Sequence, residues 1–188
     1  MILNEWTMIA IGLAVILAVI IPVLWIGRWR ERKRLRGQFG PEYEREVAVS
    51  GSRARAVDEL EARRRRVASY ELRALTPADK EELTARWREL QKGFVERPSE
   101  AVARATALID EAMERRGYPL GEIRHKDADL SVHYPREVQA YREAGTVAER
   151  SRRGDATTEE LREAMVNYRV LFDHLLGNGY EPRREIAS

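Results

Sequence analysis

The sequence predicts an all-α protein, in which a single N-terminal transmembrane helix is followed by a cytoplasmic bundle of about four or five helices. Three observations lead to this fold class. A long apolar stretch at residues 8–26 carries no charge. Several later segments combine a helix-capping residue with an apolar stripe at helical spacing. No segment shows the alternation of polar and apolar residues that marks a half-buried strand.

Residues 8–26 have the length and composition of a membrane-spanning helix. No ionisable side chain occurs from Trp6 to Gly27. At about 1.5 Å per residue, roughly 20 residues of helix cross a hydrocarbon layer of about 30 Å. Lipid requires a helix because it cannot bond free backbone groups. Trp6 at one end and Trp25 and Trp29 at the other are expected at the two membrane interfaces, where indole rings are favoured.

Two alternatives describe this apolar stretch less well. A secretory signal peptide has a positively charged start, a shorter apolar region and small residues at its cleavage site. Here residues 1–6 carry only Glu5 as a charge, and bulky and basic residues follow the apolar stretch. A helix inside a soluble core is rarely apolar on every side over this length. We therefore expect residues 1–27 to form a retained transmembrane anchor.

The residues that follow the anchor predict its orientation. Residues 28–36 contain six basic side chains and one acid, Glu31. Such a cluster stays on the cytoplasmic side, which places the N-terminus outside a single-pass protein of the inner (cell) membrane. The same side chains could contact anionic lipid of the inner leaflet, although a topology signal alone would also explain them. The predicted headgroup residues are Arg28, Arg30, Arg32, Lys33, Arg34 and Arg36.

The chain is expected to have four parts. Residues 1–27 form the anchor, and residues 28–52 form a basic juxtamembrane segment and linker. Within that linker, the glycines and proline of residues 37–41 are expected to break the helix, and Pro41 could begin a short one. Residues 53–177 form the helical bundle, and residues 178–188 form a loose polar tail.

Composition excludes several classes of function. The chain of 188 residues has no cysteine, which rules out disulfides, thiolate metal sites and cysteine nucleophiles. The net charge is only +2, and the basic residues of the juxtamembrane cluster account for this positive charge. The rest of the chain is therefore poorly suited to nucleic-acid binding. Residues 63–66 are four arginines, but acidic residues one turn earlier partly neutralise them. We expect a solvated or membrane-facing surface there.

The clearest helix starts lie at two threonines. Thr76 precedes Pro77 and can cap a helix over residues 77–96. Thr157 with Glu160 forms a capping box for the last helix. Apolar residues recur at three- and four-residue intervals in both helices and predict their buried faces. These residues are Leu83, Trp87, Leu90 and Phe94 in the first helix, and Leu161, Met165, Tyr168, Phe172 and Leu175 in the second.

Three more helices are expected, over residues 53–72, 98–116 and 135–152, with Gly117 as a left-handed cap. Residues 120–134 lack periodicity and are expected to be irregular. They contain two histidines and two aspartates that could be drawn as a metal site. Their spacing fits no recognised ligand pattern, so no metal is predicted. These four residues are His125, Asp127, Asp129 and His133.

Motifs that carry known chemistry are missing from the sequence. It contains no glycine-rich phosphate loop, nucleophile elbow, zinc-protease helix or EF-hand, so we predict no catalytic residue and no cofactor. The favoured interpretation is a non-enzymatic interaction or scaffold module, tethered to the membrane, that docks a protein partner or a second copy. The alternative is a small-ligand sensor or an unrecognised enzyme with a pocket lined by Trp87, Gln91, Tyr141 and Tyr168.

Several short motifs together point to a family. They include Phe39-Gly40-x-Glu42-Tyr43, Trp87-x-x-x-Gln91-x-x-Phe94-Val95, Arg116-Gly117-Tyr118-Pro119 and Tyr168-Arg169-x-Leu171-Phe172-Asp173. Over about residues 35–176 the chain resembles an uncharacterised family of small bacterial helical proteins, some of which carry an N-terminal membrane helix. That family has no established activity to carry over. Its pattern has Asp-His before Pro135, where this chain has His133-Tyr134, and this difference argues against a histidine-dependent mechanism there.

Overall fold

The computed structural model describes residues 18, 20, 29–31, 33–119 and 126–177. Every regular element in these ranges is helical and none is a strand, which confirms the all-α prediction. The helices are α1 (Pro41–Ser50), α2 (Arg53–Ala68), α3 (Pro77–Gly93), α4 (Pro98–Arg115), α5 (Lys126–His133), α6 (Glu137–Arg152) and α7 (Thr158–Leu175).

Most of the predicted anchor and the whole of the predicted tail lie outside the described residues. In the anchor only residues 18 and 20 are described, and both are helical. Among the helices that can be assessed, none has both the length and the apolar character needed to cross a bilayer.

The chain forms two compact units, residues 1–58 and 59–188. In the first unit, the helix break expected over residues 37–41 occurs only at Gly40, and residues 33–39 are helical. Gly40 has a φ of 50°, which glycine adopts readily, whereas the residues before it need no such conformation. Leu35 and Phe39 are fully buried.

Helix α1 begins with Pro41 at its first turn and ends at Gly51, whose φ of 67° makes it a left-handed cap. The cap N–H donates to the carbonyl of Val47 at 3.0 Å. Tyr43 is buried on this helix together with two carboxylates, Glu42 and Glu46. The segment predicted as a linker therefore contains an ordered helix with a buried side.

In the second unit, α4 packs against α3, α6 and α7, and α5 packs against α6. The most extensive helix pairing is between α6 and α7. The core of this unit holds the predicted stripe residues, since Leu83, Trp87 and Phe172 are all fully buried in one cluster. The rings of Trp87 and Phe172 are stacked, with their centroids 4.6 Å apart. Leu90 and Phe94 are partly buried and pack against the same core.

Both predicted helix starts are confirmed. The hydroxyl of Thr76 accepts a hydrogen bond from the backbone N–H of Asp79, and the Asp79 carboxylate accepts one in return from the backbone N–H of Thr76. Thr157 and Glu160 form the equivalent capping box at α7. Each box satisfies two backbone donors that the helix itself leaves unpaired.

Gly117 is confirmed as a left-handed residue, with a φ of 90°. It also allows a close approach of the chain. Helix α2 ends at Ala68 rather than near residue 72, and the irregular segment that follows crosses over this glycine. A β-carbon at Gly117 would lie 2.4 Å from the carbonyl oxygen of Glu71. Nearby, the backbone N–H of Arg73 donates to the carbonyl of Arg116 at 2.9 Å.

The expectation of an irregular stretch over residues 120–134 was wrong for its second half. Lys126–His133 forms α5, and this helix raises the number within residues 53–177 from the expected four or five to six. Eight residues make only about two turns, which is too short for a clear apolar period. The buried side of α5 is also partly polar, because it contains Asp129 and Ser131 as well as Leu130 and Val132.

Candidate functional site

Helix α5 brings Asp129 into a buried position, only 5 % exposed, beside the end of α2. Arg66 Nε donates to Asp129 Oδ1 at 2.8 Å. The Tyr70 hydroxyl donates to Asp129 Oδ2 at 2.6 Å. Both carboxylate oxygens are therefore bonded, which offsets much of the cost of removing this charge from water.

A second pair adjoins this carboxylate. The Tyr118 hydroxyl lies 2.8 Å from His133 Nδ1. The rings of Tyr70 and Tyr118 meet edge to face, with their centroids 6.3 Å apart. These five residues, Arg66, Tyr70, Tyr118, Asp129 and His133, are called the Asp129 cluster below.

The electrostatics of the Asp129 cluster keep most of its protons fixed near neutral pH. Burial and, secondarily, the hydrogen bond to Asp129 together raise the pKa of Tyr70 to about 12. Burial also raises the pKa of Tyr118. The bond to Asp129 raises the pKa of Arg66, so the ion pair persists. Histidine has the ordinary pKa closest to neutrality among the residue types of this cluster.

Burial and, secondarily, the positive charge of Arg116 lower the pKa of His133. The imidazole is therefore neutral at pH 7. With Tyr118 protonated, its hydroxyl can donate to an unprotonated Nδ1, which leaves the ring proton on Nε2. The hydrogen bonds of the Asp129 cluster hold α5 to the neighbouring segments. The Nδ1 atom of its one imidazole, His133, is already hydrogen-bonded.

We expected the arginine run on a solvated or membrane-facing surface; Arg65 is exposed, but the expectation is wrong for Arg63. Arg66 belongs to the Asp129 cluster, and Arg63 is only 6 % exposed and bonds Glu59 at 2.9 Å. The sequence offered one signal, because Arg66 and Tyr70 are four residues apart and place two donors on one side. It did not indicate which carboxylate they would meet.

The predicted pocket residues are mostly core residues. Trp87 and Tyr168 are fully buried and Tyr141 is 9 % exposed, whereas Gln91 is exposed. The structure brings Tyr141 and Tyr168 together, with their ring centroids 5.7 Å apart. Trp87 stacks instead on Phe172, and its indole Nε1 has no hydrogen-bond partner among the described residues.

A surface groove of about 410 Å³ lies between α4 and α6. Its lining includes Ala103, Ala107 and Ala148, whose small side chains leave the space unfilled. Thr106 also lines it, and Thr106 Oγ1 lies 3.0 Å from the hydroxyl oxygen of Tyr168. We call this the α4–α6 groove.

One edge of the α4–α6 groove is ionic. Asp110 lines the groove and forms an ion pair with Lys126 of α5. Lys126 Nζ also lies 5.5 Å from the ring centroid of Tyr141, as in a cation–π contact. Burial raises the pKa of Tyr141, and the nearby carboxylates of Asp110 and Asp127 raise it further.

Three of the four residues that could be drawn as a metal site form other interactions. Asp129 bonds Arg66, Asp127 Oδ2 accepts from Arg142 Nε at 2.6 Å, and His133 bonds Tyr118. His125 lies outside the described residues. Within the described ranges, no group of three or more histidine, cysteine or acidic side chains could hold a metal ion.

The juxtamembrane residues are described only in part, since Trp6, Trp25, Arg28 and Arg32 fall outside the described ranges. Trp29 is 55 % exposed, and Lys33 Nζ lies 5.7 Å from its ring centroid. Arg30, Lys33, Arg34 and Arg36 are all exposed. Arg36 differs from the others because it pairs with Glu44 at 2.9 Å.

No model of a known protein family matches this chain, and no curated protein or solved structure is significantly similar to it.

Proposed function

We propose that this protein is a membrane-tethered helical interaction module, whose domain is held at the cytoplasmic face of the inner membrane by one N-terminal span. A single sequence observation carries the proposal. The chain has no ionisable side chain from Trp6 to Gly27, and six basic residues follow within residues 28–36. Hydrocarbon stabilises such a helix. The basic residues resist translocation across the membrane, so they keep the C-terminal end of the span on the cytoplasmic side.

Docking rather than catalysis fits the domain that follows. The polar groups of the Asp129 cluster bond one another, which accounts for them as structural contacts. Helix α7 exposes Val166 and Val170, one turn apart and 53 % and 39 % exposed. A helix face of this kind suits contact with a protein partner or a second copy of the chain.

The anchor is tested by extracting membranes with alkaline carbonate after expression of the full chain. We expect the protein to remain in the membrane pellet. A variant with Val15→Arg and Leu17→Arg should move to the supernatant, because each arginine costs about 3 kcal/mol at the centre of a span. Recovery of the unaltered chain in the supernatant would overturn the anchor.

Docking is tested by photocrosslinking in intact membranes. A photoreactive residue at Val170 should give a defined adduct with a protein partner or a second copy, and Val166→Glu should abolish the adduct. The same residue placed at the exposed Arg153 is the matched control and should give none. The absence of any adduct from α7 would argue against docking through this face.

The α4–α6 groove favours a second candidate, a small-ligand sensor. Its volume lies within the range of small-molecule sites, and Thr106 connects its wall to the buried Tyr168 hydroxyl. A ligand screen by thermal shift tests this. A binder should lose its effect in an Ala107→Leu variant, which fills the groove, and keep it in the exposed control Ala85→Leu. Equal shifts in both variants would exclude the groove as the site.

A further inference from the structure

The helical residues 29–31 and 33–39 fall on two distinct sides. Leu35 and Phe39, four apart, are fully buried. Lys33 and Arg34 follow Arg30 by three and four residues, so at 3.6 residues per turn all three project from the side opposite Leu35 and Phe39. The burial of Leu35 and Phe39 thus determines which side chains point outward. We call Arg30, Lys33 and Arg34 the basic face.

The basic face is not neutralised by neighbouring acids in the part of the chain that the structure describes. No carboxylate there forms an ion pair with any of its three members, whereas Arg36 is paired with Glu44 at 2.9 Å. Glu31 is the only acid within residues 28–36, and it forms no ion pair with these cations either. Three uncompensated positive charges therefore share one helix side.

An aromatic ring adjoins this charge. Trp29 is 55 % exposed, an uncommon state for so large an apolar side chain, and Lys33 Nζ lies 5.7 Å from its ring centroid. Tryptophan is stabilised at the boundary between headgroups and acyl chains, and lysine extends its ammonium toward the headgroups. This pairing fits a lipid surface better than it fits bulk water.

We infer that the basic face binds the headgroups of anionic phospholipids in the leaflet from which the helix emerges, with Trp29 at the interface. Arg36 is assigned to Glu44 and not to lipid. The inference rests on the proposed function, because the anchor brings the basic face to the membrane surface. Of the six headgroup residues expected from the sequence, four are described, and the inference assigns three of these four to lipid and Arg36 to Glu44.

The test reconstitutes the full chain in phosphatidylcholine vesicles containing spin-labelled phosphatidylglycerol or spin-labelled phosphatidylcholine. Electron paramagnetic resonance then gives the relative association of each lipid with the protein. We expect the protein to favour phosphatidylglycerol over phosphatidylcholine by at least about fivefold, the ratio that one basic residue at an anionic surface would give. High salt should weaken this preference.

Variants separate the basic face from general surface charge. Arg30→Gln, Lys33→Gln and Arg34→Gln together should remove most of the preference. The single change Arg36→Gln should leave it almost unchanged. A matched control, Arg88→Gln, Lys92→Gln and Arg97→Gln, removes three exposed cations of the second unit and should retain the preference. Circular dichroism of each variant checks that the helices remain.

Further arms distinguish the remaining outcomes. Millimolar inorganic phosphate should not remove the preference, and if it did, the basic face would be a site for free phosphate instead. Equal association of the two lipids with the unaltered chain, or no effect of the triple change, would overturn the inference while leaving the anchor intact. An absence of motionally restricted lipid of either kind would overturn the anchor itself and the inference with it.

Discussion

Replacing Gly117 with alanine tests the crossing of the irregular segment over the end of α4. The added β-carbon would lie 2.4 Å from the carbonyl oxygen of Glu71, about 1 Å closer than ordinary contact allows. It would also have to adopt a φ of 90°, which is strained for any residue with a β-carbon. Two separate penalties therefore add at one position.

The magnitude follows from those two penalties. A left-handed backbone conformation costs a non-glycine residue about 1–2 kcal/mol. Forcing an extra carbon into a packed contact costs about 1–3 kcal/mol, and here the obstacle is backbone rather than a flexible side chain. We therefore expect Gly117→Ala to lower the free energy of unfolding by about 2–5 kcal/mol, a large part of the usual 5–15 kcal/mol.

The assay is urea unfolding of the full chain in detergent micelles, followed by far-UV circular dichroism and linear extrapolation. Gly145→Ala is the matched control, because Gly145 lies within α6 and nothing lies within 4 Å of its β-carbon position. It should raise stability by about 0.5–1 kcal/mol. A loss below about 1 kcal/mol for Gly117→Ala would refute the close crossing of Glu71.

Three further predictions use the same unfolding measurement. Asp129→Ala should lower the free energy of unfolding by about 2–4 kcal/mol. This is less than for a fully buried ion pair, because the Arg66 side chain is 28 % exposed. The control Glu89→Ala removes one partner of an exposed ion pair and should change stability by less than about 0.5 kcal/mol. Because the folded protein lowers the pKa of His133, the unfolded chain binds that proton more readily below about pH 6.5, so stability should fall as the pH drops from about 7 to 5. His133→Gln should flatten this dependence, and an unchanged slope would contradict the assignment. Thr157→Ala should cost about 1 kcal/mol through loss of the capping box, while Thr158→Ala should cost little; equal losses would contradict the cap.

Features set by local chemistry could be predicted from the sequence. The capping residues Thr76 and Thr157 each lie within three residues of their partners, so the helix starts were predicted correctly. The buried stripe containing Leu83 and Trp87 follows from helical periodicity alone. Gly117 was predicted as a left-handed cap because it directly follows a periodic segment.

Features that depend on distant partners could not be predicted. The α5 helix turns Asp129 inward, which is favourable only because Arg66, 63 residues earlier in the chain, meets its carboxylate. For the same reason the sequence places the whole arginine run on a solvated or membrane-facing surface, although Arg66 bonds a buried carboxylate. In the proposed pocket, the periodicity of Trp87 and Tyr168 indicates burial, but it does not indicate whether a cavity accompanies them. Gln91 is exposed, which the stripe of its neighbours did not reveal.

The most direct test of the membrane-tethered arrangement is cysteine accessibility, which is clean here because the native chain contains no cysteine. Single changes Asn4→Cys and Val95→Cys place one thiol on each predicted side, and Val95 is 87 % exposed. With a membrane-impermeant maleimide, we expect Asn4→Cys to react in intact spheroplasts. Val95→Cys should react only after the spheroplasts are permeabilised. Equal labelling of Val95→Cys before and after permeabilisation would contradict the cytoplasmic placement of the domain.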